Sequence, residues 1–149
     1  MRELVIRPFE ARDEEAWRVL WRGYLDFYQA QCADEVYKAS FARMLDPERP
    51  QQVGFVAESE GALLGLAHVI FHAHNWHLEE VCYLQDLYVA PEARGSGAGR
   101  ALIEAVYRLA DTRGAPAVYW TTQEDNRTAR QLYDRIGEKT AFIKYQRPA

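Results

Sequence analysis

The sequence has little cysteine, no long apolar run and no excess of positive charge. Its two cysteines among 149 residues, Cys32 and Cys82, have neither close nor metal-type spacing, so they suggest neither a disulfide framework nor a zinc site. The formal net charge of −4 argues against a nucleic-acid binder, whose domain is expected to be basic. No stretch approaches the roughly 18 apolar residues of a membrane span, and the first residues lack an apolar signal region. We therefore expect a cytoplasmic protein that binds neither nucleic acid nor membrane.

Glycine is also scarce, and a third of it lies in one loop. Of nine glycines, Gly95, Gly97 and Gly99 fall within five positions, between an apolar run at 82–90 and a helix-like run at 100–111. Such a loop can aim several backbone N–H groups at one point, and the helix N-terminus behind it favours an anion such as phosphate. A Walker loop requires a lysine after its last glycine, and no lysine follows Gly99. The third glycine also comes one position too early for a Rossmann fingerprint. A phosphate cradle of another kind and a tight turn without a ligand are the two interpretations left.

The segment around this loop favours the cradle. Residues 82–104, CYLQDLYVAPEARGSGAGRALIE, resemble the coenzyme A motif of the GNAT superfamily of N-acetyltransferases, with the apolar strand, Pro91 and the glycine loop all in register. The resemblance implies that acetyl-CoA is the cosubstrate and that the loop amides bind its pyrophosphate. By this resemblance the cofactor-binding residues are Leu87, Tyr88 and Val89 along the pantetheine and Arg94, Gly95, Ser96, Gly97, Ala98, Gly99 and Arg100 around the phosphates.

A second stretch resembles the other half of the same cofactor site. A short strand pattern at 117–122 is followed by Asn126 and by a helical pattern that carries Tyr133 and ends at Gly137. The resemblance implies that Asn126 contacts the cofactor and that Tyr133 lies beside the thioester sulfur. A phenol with a pKa of about 10 can donate a proton or a hydrogen bond to a departing thiolate. The same spacing also fits a plain core face with Tyr133 as an anchored aromatic residue.

The remaining patterns predict one α/β domain over residues 1–149, with a mostly antiparallel central sheet and helices on both faces. The predicted order is βααβββαβαβ, which is also the GNAT order. Strands are expected at 4–9, 52–59, 63–74, 82–90, 117–122 and 140–146. Helices are expected from Glu14, capped by Asp13, then at 33–45, at 100–111 and after Asn126.

The first predicted helix carries four aromatic residues on one face, at spacings of four, three and four: Trp17, Trp21, Tyr24 and Tyr28. The face has two interpretations: a helix packed on the sheet, or a wall for the acceptor substrate formed by Tyr24 and Tyr28. Its pattern most resembles GNAT members that acetylate polyamines and diamines. That subgroup resemblance implies a primary amine as the acceptor, with a small amine or a polyamine favoured, and the family resemblance implies a homodimer.

An amine acceptor needs a base, because only about one alkylammonium in a thousand is neutral at pH 7.4. Polyamine-type members often have the sequence Tyr-Leu-Glu-Asp where this chain has Tyr83-Leu84-Gln85-Asp86. Gln85 thus replaces the glutamate, and glutamine cannot take a proton. Asp86 is therefore the predicted catalytic carboxylate, with Asp86 and Gln85 as substrate-binding residues; Glu79 and Glu80 are the alternatives. Backbone N–H groups near Leu87–Val89 are expected to stabilise the oxyanion, as family geometry implies.

Four histidines, at 68, 72, 74 and 77, form the remaining cluster of chemical interest. Strand geometry would put His68, His72 and His74 on one face, yet we expect no metal and interpret them as surface or pocket residues, with His72, His74 or His77 as possible proton shuttles. The function predicted from sequence is acetyl-CoA-dependent N-acetylation of a primary amine by direct attack on the thioester. The alternative is a CoA-binding regulatory or interaction module that has the fold and lacks the chemistry.

Overall fold

A computed structural model describes residues 3–149 and contains five strands and four α-helices. The strands are β1 (Val5–Pro8), β2 (Gln52–Ser59), β3 (Ala62–His72), β4 (Val81–Val89) and β5 (Val118–Tyr119). The α-helices are α1 (Glu14–Phe27), α2 (Asp34–Leu45), α3 (Ala98–Arg113) and α4 (Arg127–Ile136). Single 3₁₀ turns at Ala11–Asp13 and Pro91–Ala93 lead into α1 and into the glycine loop.

The strands form one sheet in chain order, β1 to β5. β1 to β4 pair antiparallel, and β5 pairs with β4 in parallel. The β4–β5 pairing covers only Cys82 and Tyr83 on β4. From Leu84 onward, therefore, β4 has a ladder partner on its β3 side alone, and the edge that faces β5 is open.

Each face of the sheet packs against its own helices, which confirms the predicted layered α/β architecture. On one face α3 buries the apolar stripe of Leu102, Ile103 and Val106, and α4 packs alongside through Leu132 and Ile136. On the other face α1 and α2 enclose an aromatic core that contains Phe9, Trp17, Trp21 and Phe41. The site described below lies where these two layers meet along β4.

A β-bulge in β4 decides which layer each of its side chains enters. His68 pairs with Asp86, but the next residue, Val69, pairs with Leu84, so Gln85 is an extra residue in β4. Without the bulge, Leu84 and Asp86 would point to the same face. With it, Leu84 packs in the α3 layer while Asp86 meets His68, which contacts Trp17 of α1.

Three expectations about the elements are corrected. The strand expected at 140–146 is absent: the segment has no regular structure, and Phe142, Ile143 and Tyr145 are exposed. A segment of high β-propensity forms a strand only where a sheet edge pairs with it, and within residues 3–149 no strand pairs with this segment. β5 is shorter than expected, and β3 ends at His72, before His74.

A fourth correction concerns Asp13, which was expected to cap α1. Its side chain makes no cap hydrogen bond to α1. Instead the carboxylate accepts hydrogen bonds from the Glu10 N–H and from the Arg7 guanidinium, whose Nη1 lies 2.7 Å from Oδ2. This pairing with Arg7 lowers the pKa of Asp13 and ties the start of α1 to β1. Within residues 3–149, no helix is both long enough and apolar enough to cross a membrane.

Candidate active site

The glycine loop turns the chain from β4 into α3 through two left-handed residues. Gly95 has φ +83° and Gly97 has φ +88°, which side chains with a Cβ rarely adopt. Gly97 is the N-cap of α3, so the free N–H groups of the first turn point toward the loop. No acidic residue occupies that first turn. The partial positive charge of the helix end is therefore not offset locally.

A cleft of about 490 Å³ joins this loop to the end of β4, α4 and the C-terminal turn of α1. Its lining includes most of the residues expected to bind cofactor or acceptor: Tyr24, Tyr28, Leu87, Tyr88, Val89, Arg94, Gly95, Gly97, Ala98, Gly99, Arg100, Asn126 and Tyr133. Phe27, Thr128, Leu132 and Arg135 add to the walls. The cleft thus brings together segments that are more than 100 residues apart in sequence.

Three expected site residues do not line the cleft directly. Ser96 has its hydroxyl within 3.3 Å of the Ala98 N–H, and so it holds the turn at the start of α3. Gln85 is the exposed bulge residue of β4. Asp86 is buried behind Tyr24, with 7% of its surface exposed.

Asn126 serves as the N-cap of α4 as well as lining the cleft. Its Oδ1 accepts a hydrogen bond from the Ala129 N–H at 3.4 Å, and its Nδ2 donates to the Thr122 hydroxyl at 3.3 Å. The cap fixes the direction of α4 and thereby the position of Tyr133, two turns further along.

Tyr133 is half-buried between Trp120 and the cleft. Its ring meets the edge of Trp120 with centroids 5.5 Å apart. Burial raises the pKa of the Tyr133 phenol to about 12, with a smaller contribution from Tyr28. The phenol therefore keeps its proton at neutral pH and can act as a donor inside the cleft.

The aromatic face of α1 divides into two parts, so both interpretations of it hold at different turns. Trp17 is fully buried and Trp21 is 9% exposed, and their rings stack in the core. One turn later Tyr24 and Tyr28 reach the cleft, with their centroids 4.9 Å apart. Burial raises the pKa of both phenols, and the negative charge of Asp86 raises each further.

Asp86 belongs to a buried chain of hydrogen bonds that sequence reasoning missed. The indole Nε1 of Trp17 lies 3.0 Å from His68 Nε2, and His68 Nδ1 lies 2.9 Å from Asp86 Oδ2. Among the described residues, no lysine or arginine forms an ion pair with Asp86. A buried carboxylate without a cation is costly, so this site suits a cationic ligand.

The other expected carboxylates and histidines lie elsewhere. Glu79 and Glu80 are exposed and precede β4, which puts them about 15–20 Å from Asp86 along the strand. His72 bonds to the Tyr119 hydroxyl at 2.7 Å, and His74 and His77 lie near each other in the loop before β4. Over residues 3–149, no three His, Cys, Asp or Glu side chains are grouped closely enough to hold a metal ion.

One signal in the sequence could have pointed to His68. It is a lone polar residue within the apolar strand run 62–71, and Gln85-Asp86 is a polar pair within another. Strand pairing that placed these two interruptions side by side would have suggested a buried polar contact. The clustering of four histidines instead suggested a shared strand face. That face does not form, because β3 ends at His72 and the last two histidines lie in the loop after it.

Known proteins similar to this chain agree with the geometry. A family model described as "Acetyltransferase (GNAT) family" matches residues 14–137. The D-amino-acid N-acetyltransferase HPA3 of Saccharomyces cerevisiae is 42% identical over 97% of this chain and 90% of its own length. The uncharacterized N-acetyltransferase YhfO of Bacillus subtilis is 32% identical over 94% of both.

A solved structure supports the fold. The aminoglycoside N-acetyltransferase AAC(6')-Iy, in complex with CoA, superposes with a TM-score of 0.85 at 20% identity, over 99% of this chain and 96% of its own. The family match spans β2 to α4, together with both helices of the aromatic layer. The chain therefore belongs to the GNAT family of acetyltransferases and is an acetyl-CoA-dependent N-acetyltransferase.

Proposed function

We propose that this protein transfers the acetyl group of acetyl-CoA to a small primary amine in the cleft between α1, β4, the glycine loop and α4. The observation that carries the proposal is that one cavity joins the two halves of the chemistry. The glycine loop and Tyr133 lie on one side of it, and the tyrosines in front of Asp86 lie on the other.

The donor half suits a coenzyme A molecule. The pyrophosphate would bind the N–H groups from Gly95 to Gly99, with Arg94 and Arg100 supplying positive charge beside it. The pantetheine would lie along the open edge of β4 at Leu87–Val89, where β5 has diverged and leaves backbone groups without a ladder partner. Asn126 would border the same path from the start of α4.

The acceptor half suits an ammonium ion. Asp86 would receive the ammonium, because it is buried and lacks a cationic partner in the described chain. The carboxylate would then take one proton, which leaves a neutral amine whose lone pair can attack the thioester carbonyl. The amine nitrogen bonds to that carbon, and backbone N–H groups at Leu87–Val89 would stabilise the oxyanion.

Collapse of the intermediate breaks the carbon–sulfur bond and expels the thiolate of CoA. Tyr133 would protonate the sulfur and regain a proton from the amide nitrogen, which loses its second hydrogen in this step. The products are the acetamide and CoA with a free thiol, and the proton held by Asp86 returns to solvent. No covalent enzyme intermediate is required.

We favour a compact amine with one ammonium, such as an amino acid, over a polyamine. The relative that is 42% identical is named for D-amino-acid acetylation. In addition, the position that is often glutamate in polyamine-type members is the exposed and neutral Gln85. A polyamine would present a second ammonium, and Asp86 is the only carboxylate buried beside the aromatic wall in residues 3–149.

We further propose a homodimer formed through the 140–146 segment. The segment is rich in β-branched and aromatic residues and bears Phe142, Ile143 and Tyr145, all at least 77% exposed. Apolar surface of this kind is typical of an interface. Light scattering of the full chain is expected to give twice the chain mass of 17.2 kDa, and Phe142→Ser with Ile143→Ser is expected to give the monomer.

A panel of amines with CoA-thiol release as the readout tests the activity. D- and L-amino acids, diamines, polyamines and an aminoglycoside would be compared at saturating acetyl-CoA, with calorimetry to measure acetyl-CoA binding. We expect binding and thiol release, with amino acids as the fastest acceptors. Binding without release for any amine would support the regulatory-module alternative, and faster turnover of polyamines would overturn the amino-acid preference.

A further inference from the structure

The strongest feature that the reaction above leaves unassigned is the buried imidazole of His68. It is 6% exposed, sits at the bulge of β4, and lies between a donor on α1 and a carboxylate on β4. The residues that join here are 51 and 18 positions apart, so the contact depends on the whole fold.

The partners of His68 determine its tautomer. An indole N–H can only donate a hydrogen bond, so His68 Nε2 must be an acceptor at its 3.0 Å contact with Trp17. A neutral imidazole then carries its proton on Nδ1, which donates to Asp86 at 2.9 Å. An imidazolium would set an N–H against the Trp17 N–H, so this arrangement disfavours the charged form.

We propose that Trp17 and His68 act as positioning residues, which hold the Asp86 carboxylate in a fixed orientation and keep it negatively charged for the acceptor ammonium. The proposal rests on the amine transfer proposed above. Trp17 fixes the tautomer of His68, and neutral His68 binds one carboxylate oxygen without contributing a positive charge. Tyr24 also hydrogen-bonds to the carboxylate, and the lone pairs that remain are left for the substrate. His68 is thereby assigned a role different from that of a proton shuttle, since its accepting nitrogen is occupied.

The groups around the pair are consistent with this assignment. Tyr24 and Tyr28 face Asp86 from α1, and both are protonated donors at neutral pH because their phenol pKa values are raised. Tyr83 of β4 lies near Tyr24. On the β2 side His68 pairs with Gly54, and the rings of Phe9 and Trp21 pack against the imidazole with centroids 5.9 Å and 4.8 Å away. None of these described groups brings a positive charge that would replace the substrate ammonium.

Trp21 provides a matched control for Trp17. The two indoles lie one turn apart on α1 and stack with centroids 6.4 Å apart. The Nε1 of Trp17 donates to His68, whereas the buried Nε1 of Trp21 has no hydrogen-bond partner in the described structure. Trp17→Phe and Trp21→Phe remove a similar amount of ring, and only the first removes a hydrogen bond to His68.

Nitrogen-15 NMR of the histidine side chains tests the tautomer without any substrate. In the full-length protein, His68 is identified by the signal that His68→Asn removes. At pH 7.5 we expect a neutral ring protonated on Nδ1, unchanged in Trp21→Phe. Trp17→Phe is expected to change the tautomer, because Nε2 loses its donor. A wild-type His68 that carries its proton on Nε2 would overturn the proposal.

Kinetics with an amine from the panel tests the positioning role. His68→Asn retains an N–H donor near the position of Nδ1, and His68→Leu removes it at similar bulk. We expect His68→Leu to raise the KM for the amine by roughly ten-fold, the loss typical of one charge-assisted hydrogen bond, and His68→Asn to recover most of it. Acetyl-CoA affinity is expected to stay unchanged in both.

The outcomes separate this proposal from the proposed function. Equal KM values for His68→Leu, His68→Asn and the wild type would refute positioning even if acetyl transfer is observed. If no amine is acetylated, the proposed function fails, while the NMR result still decides the tautomer. If His68→Leu fails to fold, judged by its amide spectrum, Trp17→Phe and Trp21→Phe carry the kinetic comparison.

Discussion

The donor and acceptor sides of the cleft are built by different means. On the donor side, a loop of nine consecutive residues at 91–99 presents main-chain N–H groups, and its shape depends on the left-handed residues Gly95 and Gly97. On the acceptor side, Trp17, His68 and Asp86 come from three separate elements and meet through side-chain hydrogen bonds. A ligand common to a family can be held by backbone groups, whereas a variable ligand requires side chains that can be exchanged.

Removing the acceptor carboxylate is the most severe way to test this comparison. Asp86→Asn retains the shape of the side chain and an oxygen that can accept the hydrogen bond from His68. It can neither neutralise an ammonium nor take its proton. We expect kcat/KM for the amine to fall by about 100-fold or more at pH 7.4, with acetyl-CoA affinity unchanged.

The pH dependence of Asp86→Asn identifies the reason for the loss. If Asp86 deprotonates the amine, the rate of the variant rises about ten-fold per pH unit at every pH below the pKa of the acceptor ammonium, because the neutral fraction of the amine grows in that proportion. A loss that is the same at pH 7 and pH 9 would contradict deprotonation by Asp86. Gln85→Ala, at the exposed bulge position beside it, is expected to have a much smaller effect.

Tyr133 lies where the two sides meet, and its substitution has the next largest effect. Tyr133→Phe is expected to lower kcat by roughly ten-fold or more, because the thiolate loses its proton donor. Since burial raises the pKa of the phenol to about 12, the wild-type enzyme is expected to show no loss of kcat from Tyr133 ionisation below about pH 11. Unchanged turnover of Tyr133→Phe at saturating substrates would remove this role and leave the core interpretation of the residue.

The donor side of the site could be predicted from the sequence better than the acceptor side. The glycine loop is contiguous, so its spacing alone distinguished it from the nucleotide-binding loops, and most of the residues predicted around it line one cleft. The contact between Trp17 and His68 spans 51 positions and depends on a one-residue bulge at Gln85, which no local pattern encodes. The spacing of the aromatic residues in α1 predicted that they share one face of the helix. It did not predict which of them pack in the core and which line the cleft.

The absent last strand has a related cause. The β-branched and aromatic residues at 140–146 favour a strand locally, and yet a strand forms only through ladder hydrogen bonds to another edge. The elements with internal hydrogen bonds were predicted better: α2 ends at Leu45 as expected before Pro47, and α4 begins after Asn126. β5, which has two residues and one neighbour, was overestimated.

The donor side can be tested at the loop with a control at the other end of α3. Gly97 at the N-terminus and Gly114 at the C-terminus both have positive φ, and a Cβ at either would meet no atom within 4 Å. Alanine at each is expected to cost about 1–2 kcal/mol of folding stability through the backbone alone. Only Gly97→Ala is expected to weaken acetyl-CoA binding, by roughly five- to ten-fold, because the loop N–H groups shift. Equal acetyl-CoA affinities in calorimetry would refute phosphate binding by this loop.

The smallest expected effect concerns Asn126, where the structural and the binding role can be separated. Asn126→Ala removes the α4 cap and is expected to lower the free energy of unfolding by about 1 kcal/mol, measured by urea denaturation. Asn126→Asp retains a capping oxygen and adds negative charge near a helix N-terminus, so its stability is expected to stay close to that of the wild type. It also replaces the donor Nδ2, which bonds to Thr122, with an acceptor. If Asn126 acts only through the cap, Asn126→Asp binds acetyl-CoA like the wild type. If it contacts the cofactor, both variants lose a few-fold in affinity for acetyl-CoA. The donor side then depends on one side chain in addition to its main-chain N–H groups.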